Sequence, residues 1–219
     1  MKSFFKTIVM AICCCMTMVQ FSSCLSDKEN SNSSLLTAQE AAKYLQDTQG
    51  SFSGKQRLLY YTKNKMGFDS IAIDSVMQVP LVVNAADSLG RLRLSAKFIA
   101  KSISNNEKLA QALENMPDFS VNIKMVPYRA FENDVLYAYQ FVPYQGLSFD
   151  VTYDDGTHHH VMFDFALSLT FAGGTFNALG VYSPKEKAIE FCLLPYRFTI
   201  DEKTTTYCTS TVLQYYGTK

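Results

Sequence analysis

His158, His159 and His160 are the only histidines in the chain, and they are the first residues whose type and spacing could do chemistry. Imidazoles paired with carboxylates hold zinc or copper. Alternate residues of a strand point the same way, so His158 and His160 share a face. If the chain reverses through Asp154-Asp155-Gly156, Asp150 lies opposite His160, and Asp164 lies further along the same face. His158, His160, Asp150 and Asp164 are thus the candidate ligands of a divalent metal, and otherwise form a solvated strand end. His159 faces the other way, beside Val151, as a packed ring.

Two cysteines, Cys192 and Cys208, lie in the body of the chain. In an oxidising compartment they could form a disulfide. A turn at Asp201 to Lys203 would place Cys192 near Val212 and Cys208 near Tyr196. That offset of about four residues exceeds the usual Cα separation of about 6 Å, so two half-buried thiols are expected and a disulfide is the alternative. Familiar catalytic patterns fail on inspection. Gly50-Ser51-Phe52-Ser53-Gly54 has the glycines of a nucleophile elbow, but Phe52 occupies the nucleophile position. There is no HExxH, no phosphate-binding glycine loop and no dinucleotide fingerprint. No catalytic residue is assigned.

The remaining reactive position is Cys24. Lys2 and Lys6 precede an uncharged, mostly apolar run from Ile8 to Val19, 12 residues long. That suits a signal-peptide core and falls short of the ~20 residues that span a bilayer. Phe21-Ser22-Ser23-Cys24 follows. This segment resembles the lipobox of bacterial lipoproteins. Phe21 stands where that motif usually has Leu, and Ser23 where it has Gly or Ala; both variants look like those of lipoproteins from the Bacteroidota. The resemblance implies a diacylglycerol on the Cys24 thiol, cleavage just before it and acylation of the new amino terminus. Residues 1–23 are then a signal peptide, 24–34 the acylated cysteine and a polar tether, and 35–219 one globular domain. The location implied is the cell envelope, lipid-anchored at the outer membrane. Ser26-Asp27-Lys28-Glu29 is similar to the acidic stretch of surface-displayed members, which would put the domain outside. Each buried acyl methylene contributes about 0.8 kcal/mol, so two or three chains anchor a protein effectively permanently.

Charge limits the partners. Lys plus Arg number 20, as do Asp plus Glu. Removing residues 1–23 removes two lysines and no acid, leaving −2. Such a chain has no electrostatic footprint for nucleic acid and no polybasic surface for anionic lipid; its contact with a membrane runs through the lipid.

These residues need elements to position them. Thr37-Ala38-Gln39-Glu40 is a capping box opening a helix over 38–49. Ser104-Asn105-Asn106-Glu107 opens a second, ended by Pro117. Elsewhere the pattern has period two: Leu92 and Leu94 alternating with Arg91 and Arg93, Phe119 to Met125, Val135 to Phe141, Ile189 to Leu193. About ten short strands are expected between residues 52 and 216, too closely spaced for crossover helices. The fold class is therefore α+β and mostly antiparallel β, a barrel or a sandwich with two short amphipathic helices. In the 147–165 hairpin, a three-residue loop with Gly156 left-handed sets Phe149 opposite Val161 and Leu147 opposite Phe163. It gathers the apolar residues on one face, which fixes the register. Tyr60, Tyr61, Tyr137, Tyr139, Tyr144, Tyr215 and Tyr216 are core if buried, or a platform for sugars or a partner if exposed.

Gly50-Ser51-Phe52 after a short helix is similar to the strand opening of lipocalin-like barrels, with Phe52 in place of Trp; that resemblance implies a barrel with a ligand cavity. Leu35 to Ala42 with Gln49 to Gly54 looks like a group of uncharacterised Bacteroidota lipoproteins of about this length, which implies no activity. Three functions follow: a non-enzymatic envelope module binding a ligand or protein partner, a metal-dependent envelope enzyme using His158 and His160, or a structural subunit of a surface assembly with an exposed apolar edge.

Overall fold

Thr37 and Glu40 start the first helix as their spacing predicts. In the computed structural model, which describes residues 36–64, 67–131, 135–171 and 174–219, the Glu40 amide donates to Thr37 Oγ1 at 3.2 Å and the Thr37 amide to Glu40 Oε2 at 2.8 Å. This helix, α1 (Ala38–Thr48), buries Tyr44 and Leu45. Cys24 and the tether lie outside the described residues.

Eight strands then close a barrel in chain order, every pair antiparallel. They are β1 (Gly50–Asn64), β2 (Gly67–Asn84), β3 (Leu89–Leu94), β4 (Phe119–Tyr128), β5 (Tyr137–Pro143), β10 (Leu179–Ser183), β11 (Ala188–Ile200) and β13 (Thr211–Thr218). Pairing of β1 with β13, Ser53 to Thr218 through Tyr60 to Thr211, joins the two ends of the sequence. Of the two architectures the alternation allows, the barrel is the one formed. Closure leaves no barrel edge along the strands that complete the ring.

Two excursions leave the ring. Between β5 and β10 come β6 (Leu147–Thr152), β7 (His158–Ala166), β8 (Ser168–Phe171) and β9 (Gly174–Asn177). β11 outruns the barrel: Ala188 to Leu193 pair with β13, and Leu194 to Ile200 pair with β7. The strand β12 (Thr204–Tyr207) also lies against β11. One strand thus belongs to the barrel and to a second sheet ordered β6-β7-β11-β12. The β6–β7 register matches expectation, Phe149 opposite Val161 and Leu147 opposite Phe163, with Gly156 at φ +81° in the loop.

The barrel ends are plugged. At one end α1 lays Tyr44 on Tyr137, centroids 3.9 Å apart, and the Tyr139 hydroxyl donates to the Tyr44 carbonyl at 2.7 Å. At the other end the long β3–β4 connection folds into α2 (Ala96–Ala100) and α3 (Glu107–Glu114), whose Phe98, Ile99, Leu109 and Leu113 join the main core. The second helix starts two residues later than the Ser104 box suggests: Asn106 is the cap, its Oδ1 accepting from the Leu109 amide at 3.0 Å. Ser104 instead hydrogen-bonds the neighbouring Asn105 side chain.

The interior is filled. Tyr139, Tyr215, Phe141 and Phe191 are all at most 1% exposed. The Phe141 and Phe191 rings stack at 4.3 Å, and Tyr215 lies 5.2 Å from Phe191. Glycines make room for them. A Cβ on Gly217 would lie 2.4 Å from the Tyr215 hydroxyl oxygen, and one on Gly180 would lie 2.7 Å from the Phe141 ring. This is the packed core of a narrow barrel. A smaller apolar cluster lies on the outside of the wall, where Phe176 of β9 and Leu169 and Phe171 of β8 cover Leu59, Tyr61, Cys192, Leu194 and Val212.

The β1–β2 hairpin extends past the ring. β3 borders β2 only from Leu81 to Asn84, and Ile71 and Met77 on the uncovered length are 60% and 64% exposed. The β1–β2 register shifts between Gly54 and Gln56 and again between Leu58 and Leu59, and Pro80 removes a donor. Bulges and proline blunt a strand edge that would otherwise template another chain.

Candidate functional site: a groove on the outer barrel wall

The strands β2, β3 and β4 present alternate residues outward. On β3, Leu92 and Leu94 enter the core and Arg91 and Arg93 face solvent. Arg91 lies opposite Val82 on one side and Asn122 on the other; Arg93 lies opposite Ser120. Where the α3–β4 connection returns to the wall, Pro117 and Asp118 rise beside them, and the Phe119 ring turns inward against Phe149. The result is a groove of about 400 Å³ lined by Pro80, Val82, Arg91, Arg93, Pro117, Asp118, Phe119 and Ser120. That volume lies in the range of small-ligand sites.

Its two arginines differ. Arg93 Nε donates to Asp118 Oδ2 at 2.7 Å, so that cation is matched. Arg91 has no hydrogen-bond or ion-pair partner among the described residues. It stands over an apolar floor that includes Val82, itself 47% exposed. A planar five-donor cation beside apolar surface is matched to a carboxylate or phosphate carried on an apolar body. In the sequence Arg91-Leu92-Arg93 reads as strand alternation. Two arginines flanking an inward leucine were the available signal, but the prolines and Phe119 come from distant segments.

The sequence-predicted metal ligands are brought to one region and bound into other contacts. Asp150 does face His160, and His160 Nδ1 lies 2.8 Å from Asp150 Oδ1 while its Nε2 lies 2.9 Å from Ser148 Oγ. His158 Nδ1 is engaged with Thr152 Oγ1 at 2.9 Å. Asp164 accepts from Arg197 Nε at 2.9 Å. Among the described residues, no group of three or more His, Cys, Asp or Glu side chains is arranged to hold a metal ion. His159 is the ring its register predicted: it lies 4.3 Å from Tyr153 and holds Asp201 Oδ2 at 2.7 Å. Asp201 also accepts from the His160 amide, and these bonds, the His159 contact first, hold its carboxyl below the usual range.

Cys192 and Cys208 carry separate thiols in different environments. Cys192 sits in the small outer cluster opposite Gln214, two residues from the expected Val212, because the chain bends at Thr209 and Ser210 before β13 begins. Cys208 packs on the main core; its amide donates to the Tyr196 carbonyl, as the predicted turn requires. Burial pushes its thiol up to about 12, with the Ser102 hydroxyl opposing the shift. The tyrosines divide: Tyr61, Tyr137, Tyr139 and Tyr215 are core, while Tyr60, Tyr144 and Tyr216 are exposed.

A family model matches residues 47–200, from the end of α1 through β11, well over half of the chain. The chain belongs to the family described as Domain of unknown function (DUF4840). The match covers the whole groove and every barrel strand except β13. No curated protein and no solved structure matches the chain.

Proposed function

We propose that this member of the family is a lipid-anchored protein of the cell envelope, held by an acylated Cys24, whose barrel is a non-enzymatic binding module that works through its outer wall. The observation that carries the reading is the filled interior. A carrier barrel needs a cavity for its cargo, and here stacked Phe141 and Phe191, with Tyr139 and Tyr215, occupy that space. The groove around Arg91 is a concave feature of the outer wall suited to recognition. The leader with its lipobox-like Phe21-Ser22-Ser23-Cys24 supports the anchor.

The test has two parts, both on the full chain expressed in a bacterium that processes lipoproteins. Wild type sediments with membranes and incorporates labelled fatty acid, and Cys24→Ser is soluble and unlabelled. Organic extraction of the purified protein yields no stoichiometric small molecule. A soluble, unacylated wild type would refute the anchor. One equivalent of an extracted lipid that Arg91→Met retains would refute the outer-wall reading and restore the carrier.

A further inference from the structure

We infer that the groove takes a carboxylate or phosphate group attached to a flat or aliphatic body, with Arg91 as the residue that reads the anion. This deepens the outer-wall reading by naming what the wall would bind. Arg91 and Arg93 leave the same face of β3, so two cations stand side by side in a chain of neutral overall charge. Asp118 neutralises one of them across the groove and fixes it in place. The other keeps its full charge and all its donors for something that the described residues do not supply. The Arg93–Asp118 pair lines the groove beside Arg91, so the unmatched positive charge there is that of Arg91.

The apolar part of the ligand is specified by the floor. Pro80, Val82 and Pro117 are rigid or branched side chains with no hydrogen-bonding group, brought together from β2 and the α3–β4 connection. Two proline rings and a valine favour a planar ring or an alkyl segment beside the anion. Ser120, opposite Arg93, supplies one hydroxyl at the margin. An anion alone would have to compete with water for an exposed guanidinium; the apolar contact is what would hold it there.

The probe is 3-phenylpropionate, with 3-phenyl-1-propanol as its neutral counterpart and phenethyl phosphate as the alternative anion. Binding to the full chain in nanodiscs is followed by saturation-transfer NMR. The acid is expected to bind at least tenfold more tightly than the alcohol, and more weakly as salt rises. Arg91→Met, which keeps an apolar stem of similar reach and alters no core contact, should weaken the acid tenfold or more and leave the alcohol unchanged. The phosphate arm shows which anion is preferred. Equal binding of acid and alcohol, no binding of either anion at 10 mM, or acid binding unaffected by Arg91→Met would each overturn the assignment. None of those results touches the anchor or the missing internal cargo, so the broader reading fails or survives on its own test.

Discussion

Gly217→Ala should be destabilising for a reason that a second substitution removes. The added methyl would sit 2.4 Å from the Tyr215 hydroxyl oxygen and 2.8 Å from two ring carbons of the same side chain, so about 1 Å of movement is needed to reach ordinary contact. Tyr215 is fully buried and has nowhere to move. Overpacking of this kind costs about 1–3 kcal/mol. Tyr215→Leu costs more on its own. It deletes the hydroxyl's bond to the Val79 carbonyl at 3.1 Å and the ring contact with Phe191, about 1 kcal/mol each, and leaves space behind, for a total of about 3 kcal/mol. If the ring is what obstructs the methyl, the double variant should lose about 3 kcal/mol rather than about 5, a coupling of about 2 kcal/mol. Gly54 supplies the control. Its hypothetical Cβ meets the Tyr216 carbonyl oxygen at 2.2 Å and Gly217 Cα at 2.7 Å, both backbone, before it meets the ring. Tyr215→Leu should therefore not rescue Gly54→Ala. Urea unfolding of the full chain in non-ionic detergent, followed by far-UV circular dichroism, measures all five variants. Equal cost of Gly217→Ala in both backgrounds would refute the packing account of the barrel interior.

Two further outcomes are expected. Glu40 is held down to about 2 by the Thr37 amide, then by Arg129 and the Thr37 hydroxyl; a depressed carboxyl stabilises the fold above its ordinary value of 4.5 and loses that contribution as pH falls through about 2. The gap in melting temperature between wild type and Glu40→Gln should therefore shrink steadily from pH 5 to pH 2, and a constant gap would show that the box and the Arg129 pair do not set it. The Cys208 thiol, pushed up to about 12 by burial, should resist iodoacetamide at pH 8 in the folded protein and react within minutes in urea, as read by peptide mass spectrometry; fast labelling of the native state would contradict its placement.

What the sequence revealed was whatever depends on neighbours. The hairpin through Gly156 was legible because one buried face leaves only one register, and α1 because its cap is written in four consecutive residues. Barrel closure was not legible. Period two says which side of a strand is apolar, not which distant strand lies beside it, and nothing local marks Ser53 as the neighbour of Thr218. The helix α2 is not legible because Ala96, Phe98, Ile99 and Ala100 are all buried, so its five residues carry no polar face to give a helical period. The groove escaped for the same reason as closure: Pro80, Arg91 and Pro117 meet only through tertiary structure.

The strand that seals the ring, β13, follows every other barrel strand in the chain. Until residues 211–218 have emerged, β1 and β11 each lack the partner that stands between them, and a topology dominated by such distant pairing completes slowly. A nascent chain of this design cannot lock itself shut ahead of time.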